Sequence, residues 1–269
     1  MDIEPPVEKK HSDDEESSEE DNEVGTVTQK VDLKLDLIAA NSGHLKKNEN
    51  LLVADRIFLS LWGNSSIFLQ SIINQLIFEK KGILVGYLNF NKAKQKALAN
   101  VYSLIDSSSF VIIFNEAIND YTEYNFPEFL PKTFSFDPQI FEFVILDNIS
   151  CKLLKKAELI HNLQTLRIIS TNHHSKESFE AMKKLGVPLE EGNHMEGIGA
   201  EIVVFCEINK LKANFFLGIN EEFEINVDDV KKFGNILPNY KSLQILVDEK
   251  AVGDLIKKTK KPTCASIYI

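Results

Sequence analysis

The sequence predicts an α/β fold: a single domain with a mostly parallel sheet and helices on both faces, a disordered acidic N-terminal tail and a short C-terminal tail. Short apolar runs typical of buried strands alternate with segments of helical periodicity, which is the pattern of such a sheet. The chain has 269 residues, 43% of them hydrophobic. This is enough to bury one large or two small cores. Since no internal repeat is visible, we predict one domain over residues 26–261.

The formal charge of -10 is concentrated at the N-terminus. Residues 1–25 hold 11 Asp and Glu and 2 Lys, which leaves 29 acids and 28 bases in the rest of the chain. The segment from Glu8 to Glu23 has almost no apolar side chains, so residues 1–25 are predicted to be a disordered acidic tail. The remainder is nearly neutral and carries no electrostatic footprint for nucleic acid.

Cysteine usage and the apolar stretches predict an intracellular protein that does not enter a membrane. The three cysteines, Cys151, Cys206 and Cys264, are far apart and form no CxxC pair, which favours reduced thiols in the cytosol or nucleus. The first six residues have neither a basic nor an apolar region, so no secretory signal is predicted. The most apolar stretch, Ile67 to Phe78, contains four polar residues and is predicted to be a core helix.

The first half of the domain contains a predicted β-α-β unit. Alternation from Thr26 to Leu37 predicts a strand with one buried face before it. The unit itself consists of a buried strand at Arg56–Trp62, a helix at Ile67–Ile77 and a strand at Ile83–Leu88. Asn64, Ser65 or Ser66 can cap this helix, and Gly82 is the glycine expected just past its end.

The second half continues the alternation. Strands are predicted at Phe110–Phe114, Phe141–Leu146, Leu166–Ser170 and Asn214–Ile219, and amphipathic helices at Ser175–Leu185, Val227–Leu237 and Val247–Lys258. Gly199–Asn209 is a helix or a strand, and a buried helix is favoured because its apolar residues share a helical face. Glu116–Gln139, rich in Phe, Tyr and Pro, is predicted to be an excursion with one helical turn near Glu128.

Candidate chemistry is sparse. The turn Gly63-Asn64-Ser65-Ser66 lies where an α/β fold holds a phosphate, but it lacks the spacing of nucleotide-binding loops, which favours simple capping. A nucleoside- or phosphate-binding enzyme that uses this turn and His173 remains the alternative function. His173-His174 has no further metal ligand nearby, and no base is fixed beside Cys151. We therefore predict no catalytic residues, no metal, no cofactor and a non-enzymatic interaction protein.

The last three residues are the predicted functional site. Ile267, Tyr268 and Ile269 follow Pro262 and a basic cluster at Lys257, Lys258, Lys260 and Lys261. An apolar side chain and a ring can fill a slot on a partner while the terminal carboxylate pairs with a base at its rim. Considered alone, the same residues also fit a frayed terminus or a final edge strand.

The order of elements and this ending together resemble the proteasome assembly chaperones. The resemblance is carried by the strand-Gly-Asn-helix unit at Leu61 to Leu69, the stretch from Glu201 to the end of the chain, and the final residues Ala265-Ser266-Ile267-Tyr268-Ile269. It covers most of the chain after residue 30, but Glu116–Gln139 has no counterpart.

The resemblance implies a function and partners. In that family a C-terminal hydrophobic-Tyr-X (HbYX) motif docks between neighbouring alpha subunits on the outer face of the proteasome core particle. Ile267 would be the hydrophobic anchor, Tyr268 the ring, and Ile269 the carboxylate donor. Residues 262–269 would form the docking tail. The resemblance further implies a heterodimer with proteasome assembly chaperone 2, binding to alpha subunits of the alpha ring, and a location in cytoplasm and nucleus.

Overall fold

The computed structural model describes residues 32–90, 97–105, 107–115, 125–155, 162–221, 224–243 and 247–259. The predicted acidic tail at residues 1–25 and the docking tail at residues 262–269 lie outside this range. So does the part of the strand predicted over Thr26–Leu37 that precedes residue 32. The described residues form sheets and helices around two apolar cores, one on each face of a large sheet. The α/β class is confirmed.

The sheets are formed by short strands with mostly buried side chains. Their bounds are β1 Leu33–Leu37, β2 Lys47–Asn48, β3 Leu51–Ala54, β4 Arg56–Ser60, β5 Gly82–Phe90, β6 Ala99–Leu104, β7 Ser109–Phe114, β8 Phe134–Phe136, β9 Glu142–Ser150, β10 Arg167–Ser170, β11 Val187–Pro188 and β12 Lys212–Asn220. The α-helices are α1 Asn64–Phe78, α2 Phe126–Thr133, α3 Lys176–Met182, α4 Ile198–Ile208, α5 Val227–Lys232 and α6 Glu249–Lys258.

The large sheet is mixed, so the prediction of a mostly parallel sheet is not confirmed. Its order is β1-β5-β6-β7-β4-β9-β12-β10-β11. The four central strands, β7, β4, β9 and β12, pair in parallel, as β10 does with β11. The pairings β1-β5, β5-β6, β6-β7 and β12-β10 are antiparallel. A parallel centre therefore carries antiparallel flanks, because β5, β6 and β7 are joined by short connections and not by crossover helices.

Helices lie on both faces of this sheet, as predicted. On one face α1, α5 and α6 pack into a core with Phe58, Val144 and Phe216. On the other, α2 and α4 pack with a three-stranded sheet of order β2-β3-β8 over a core that includes Leu59 and Ile145. Alternate residues of the central strands serve the two cores, which is why these strands are continuous apolar runs.

The predicted β-α-β unit is present, with one difference in its arrangement. β4 and β5 run in the same direction on either side of α1, but β6 and β7 lie between them in the sheet. β6 was not predicted, because Ala99–Leu104 mixes small, polar and apolar residues without strict alternation. The predicted terminal glycine was also wrong: Lys80 takes the left-handed conformation (φ 59°), and Gly82 begins β5.

Two segments differ from their predicted secondary structure: the aromatic excursion is more regular, and the helix over Val227–Leu237 is less regular. The described part of the aromatic excursion contains α2, a helix of two turns with Pro127 near its start, followed by β8. The predicted helix over Val227–Leu237 is α-helical only to Lys232 and continues as a 3₁₀ helix over Phe233–Asn239. Pro238 has no N–H to offer an α-helical bond, which favours the tighter turn. The helix at Ser175–Leu185 is confirmed, with Ser175 Oγ accepting from Ser178 N.

A buried carboxylate joins the central strands to this 3₁₀ segment. Glu142 Oε2 accepts from Arg56 Nε at 2.9 Å, and Glu142 Oε1 accepts from Asn214 Nδ2 at 2.7 Å and Tyr240 Oη at 3.1 Å. The phenol is 1% exposed, and burial together with the nearby carboxylate raises its pKa well above the ordinary value. Tyr240 therefore stays a neutral donor. The Glu142 carboxylate thus links β9, which carries it, to β4, to β12 and to the residue after the 3₁₀ helix.

We expect Arg56→Met to destabilise the fold, because it leaves the carboxylate of Glu142 without its cation. The cost is about 2 to 3 kcal/mol, at the low end for a buried pair, because 31% of the Arg56 side chain is exposed. Urea denaturation measures this change. Adding Glu142→Gln to Arg56→Met removes the unpaired charge and recovers part of the loss. A double variant less stable than Arg56→Met alone would contradict this account.

Candidate functional site

The described part of the structure does not include the predicted docking site. Ile267, Tyr268 and Ile269 lie outside the described residues. The chain can be followed along α6 to Thr259, where the Thr259 N–H donates to the carbonyls of Leu255 and Ile256. Of the predicted basic cluster, Lys257 and Lys258 lie exposed on the last turn of α6, and the other two lysines lie beyond the described range.

α6 is fixed to the body, so the position from which the tail departs is defined. Val252 is fully buried against the core beneath α1. Asp248 caps the helix by accepting from Lys250 N at 2.9 Å. Lys231 on α5 pairs with Glu249 at 2.7 Å, and this hydrogen bond raises the pKa of Lys231. Since this pair is exposed, packing of Val252 contributes more to the position of α6 than the ion pair does.

The turn that precedes α1 is closed by another side chain. Gly63 adopts φ 105° and is the N-cap residue, so none of the predicted candidates caps the helix with its side chain. Instead Asn148, at the end of β9, accepts from Ser65 N at 3.4 Å. A Cβ atom at position 63 would lie 2.6 Å from Asn148 Oδ1. The start of the helix therefore faces an amide of the same chain.

The rest of this edge of the sheet is also filled by the chain itself. Asn64 is 1% exposed, and its Oδ1 accepts from Asn226 N at 3.0 Å. Lys232 is 5% exposed, donates to the carbonyl of Ile219 at 3.2 Å and pairs with Asp229. The carboxyl ends of parallel strands are where α/β proteins commonly bind ligands. Here the described groups at that edge bond to one another.

The two histidines lie at the other ends of the strands, near the start of β12. His173 Nε2 lies 3.0 Å from the carbonyl of Glu207, and His174 Nε2 lies 3.2 Å from that of Ala213. Hydrogen bonds from Asn172 lower the pKa of the Glu207 carboxylate, with a smaller effect of His173. These contacts join the end of β10 to α4 through Glu207 and to β12 through Ala213, which is a structural role.

The alternative enzyme site is therefore not assembled. β10 runs antiparallel to β12, so its last residue pairs with Asn214 near the start of β12, whereas Gly63 follows the end of the parallel strand β4. His174 contacts the carbonyl of Ala213, and Gly63 lies against Asn148, whose partner on β12 is Gly218, so the two sites are five residues of β12 apart, about 17 Å. His173 and the Gly63 turn cannot act on one small substrate at that separation.

The remaining candidate groups also lack the setting of a reactive site. Cys206 is buried in α4, and burial raises the pKa of its thiol to about 12. Cys151 is partly exposed, and Cys264 lies outside the described residues. Within the described ranges no group of three or more His, Cys, Asp or Glu side chains could hold a metal ion. No helix in the same part of the chain is both long and apolar enough to cross a membrane.

Exposed apolar side chains are the surface features that sequence reasoning missed. Phe78 at the end of α1 is 87% exposed, and Ile77 beside it is 41% exposed. On α4, Val204 and Ile208 are 57% and 74% exposed and lie one turn apart. The predicted burial of α4 is thus correct for only one side of the helix. Because α4 is apolar on nearly all sides, its sequence already indicated that the outer side of the helix also packs against something.

The fold has counterparts among solved structures. Pyrococcus furiosus PbaA, an archaeal homolog of proteasome-assembly chaperone, superposes with a TM-score of 0.54 at 14% identity over 84% of this chain and 89% of its own. Pyrococcus furiosus PbaB, an archaeal proteasome activator, gives 0.52 at 12% identity over 84% and 95%. A Thermoplasma acidophilum protein of unknown function gives 0.55 at 15% identity over 84% and 93%.

The fold is that of PbaA and PbaB. At this level of identity the likeness concerns the fold, and it extends over nearly the whole of those chains. No protein-family model matches the sequence, and no curated protein matches it either.

Gly63→Ala tests the filled turn. We expect it to cost about 2 kcal/mol or more, because alanine strains the backbone at this φ and its Cβ meets Asn148. The matched control is Gly253→Ala in α6, where a Cβ would find no atom within 4 Å. Since alanine is the better helix former, we expect this control to gain about 0.5 to 1 kcal/mol. Equal effects of the two variants in urea denaturation would rule out the close approach at Gly63.

Thermal melts in phosphate or nucleosides test the alternative function. A ligand at 100 times its Kd would add about 2.7 kcal/mol, which raises Tm by about 5 °C or more for a domain of this size. We expect no such rise, because Ser65 N already donates to Asn148. Sodium chloride at matched ionic strength is the control for salt effects. A saturable rise with any one nucleoside would restore the enzyme hypothesis.

Proposed function

We propose that this chain is a proteasome assembly chaperone of the type called proteasome assembly chaperone 1. As a heterodimer with proteasome assembly chaperone 2, it binds the outer face of the alpha ring of the core particle and promotes assembly of the ring. Its C-terminal tail inserts Ile267, Tyr268 and Ile269 into a pocket between two alpha subunits. Its working place is the cytoplasm and the nucleus.

The observation that carries the proposal is the fold shared with PbaA over 84% of the chain. PbaA is described as a homolog of proteasome-assembly chaperone, and PbaB as a proteasome activator. Two proteins with this fold are thus associated with the proteasome, and this chain adds a hydrophobic-Tyr-X ending in its own sequence. Fold and ending are independent features, so their coincidence supports the same function.

The body of the molecule supports a binding role and not a catalytic one. At the carboxyl edge of the parallel strands, Asn64, Asn148 and Lys232 are engaged by the chain's own groups. The described surface instead exposes large apolar side chains on α4, at Val204 and Ile208. Exposed apolar groups favour contact with other proteins, and a second chaperone and the alpha subunits are the partners proposed here.

The tail works as a tethered plug in this mechanism. Residues 260–269 follow Thr259 and span up to about 33 Å when extended, so the motif can enter a pocket while the body rests on the ring. The Ile267 side chain and the Tyr268 ring displace water from the pocket. The α-carboxylate of Ile269 pairs with a basic group. Because the contact is small, the body must supply the remaining affinity through the wider surface.

Removing the ring or the free carboxylate should weaken the capture of alpha subunits. We expect Tyr268→Ala, and separately one alanine added after Ile269, to lower the recovered alpha subunits about tenfold or more, equivalent to at least 1.4 kcal/mol. The measurement is a pull-down through an N-terminal tag, with the second chaperone co-expressed.

Two controls separate a failed contact from a failed fold. Thr263→Ala changes the tail without touching the motif and should capture alpha subunits normally. Thermal melting of all variants should coincide, because the changed positions are not among the residues of the two described cores. Size-exclusion chromatography with the second chaperone tests the heterodimer by itself. Full capture by both motif variants would reject the role of the tail.

A further inference from the structure

A groove of about 420 Å³ lies between α1 and the start of α6. Its lining from α1 includes Ile72, Gln75 and Phe78, and Val247, Asp248 and Ala251 form the opposite side. Ile72 is 1% exposed and forms an apolar floor, whereas Phe78 at the side of the groove is 87% exposed, so the described residues leave its ring uncovered. The volume lies within the range of sites that hold small ligands or a few side chains.

The segment that follows α6 is tethered beside this groove. Ala251 lies on α6 itself, eight residues before Thr259, which is about 12 Å along the helix axis. A segment that turns back at Thr259 needs about five extended residues, or about 16 Å, to return to the level of Ala251. In this register Cys264 would lie near Ala251, and the residues that follow it would run along the groove toward Val247, which is about 6 Å farther along the helix axis.

The chemistry of the groove suits these last residues. Ile267 and Ile269 match the apolar floor at Ile72, and the Tyr268 ring can pack against the exposed ring of Phe78. Both Gln75 and Asp248 are within the lining: the Gln75 amide can donate to a phenol or accept from it, and the Asp248 carboxylate can accept from it. A short tether gives a local concentration in the millimolar range, so a weak contact is sufficient for occupancy.

We propose that the groove between α1 and α6 is the docking site for this chain's own residues 264–269. The docked segment covers the hydrophobic-Tyr-X motif in the free protein and is released when an alpha-subunit pocket competes for it. The consequence for alpha subunits rests on the proposed function, whereas docking itself does not.

Disulfide trapping tests the docking directly, with Cys264 as the native reporter. In Ala251→Cys, mild oxidation should link position 251 to Cys264 within one chain, because docking brings their Cα atoms within about 7 Å. The control is Val204→Cys, which is 57% exposed on α4, on the opposite face of the sheet. We expect the first link to form on the order of ten times faster than the second, as read by peptide mapping of the monomer.

Phe78→Ser supplies the second variant. Added to Ala251→Cys, it should slow trapping several-fold, whereas Phe179→Ser, at a ring 44% exposed on α3, should not. Phe78→Ser alone should speed the capture of alpha subunits, because the motif is uncovered. Equal trapping at positions 251 and 204, or links only between chains, would overturn the docking. Normal capture by Tyr268→Ala alongside fast trapping at position 251 would reject the proposed function and leave the docking in place.

Discussion

The buried carboxylate of Glu142 constrains more of this fold than any other single group. It lies at the start of β9, and its partners come from β4, β12 and the segment after α5. An ionised carboxylate without partners at this depth would be very costly. Register and position are thus coupled: Arg56, Asn214 and Tyr240 must all reach the same two oxygens. The parallel centre of the sheet and the helical layer beside it are consequently aligned by chemistry as well as by packing.

At the opposite ends of the same strands, the place where α/β folds commonly bind ligands is filled by groups of the chain itself. A glycine with positive φ at a strand end is the usual way to open a helix start to an anion. In this chain Gly63 instead admits the side chain of Asn148, and the backbone N–H of Asn226 donates to Asn64 Oδ1 across the opening. The polar groups that could recognise a small molecule serve the loops that cover the sheet. Such an edge stabilises a rigid scaffold.

Much of the fold could be predicted from local patterns. Buried strands such as β9 and β12 are continuous apolar runs, and Ser175 marks the start of α3. The order and direction of the strands were harder to predict from the sequence. β6 shows no alternation of apolar and polar residues, and its place between β5 and β4, beside β7, depends on pairing between distant residues. The asparagine at position 148 was also beyond sequence reasoning, since capping by a residue more than eighty positions away leaves no local signal.

The candidate site likewise has one part that is visible in the sequence and another that depends on packing between distant elements. The hydrophobic-Tyr-X ending is a local pattern and is visible in the sequence, whereas the groove beside α6 exists only once α1 and α6 pack together. Phe78 illustrates the difference. In the sequence it extends an apolar helix, yet α1 reaches its end there and the ring passes beyond the core. An apolar residue just past the last covered turn is therefore informative about binding, because the described residues leave its ring uncovered.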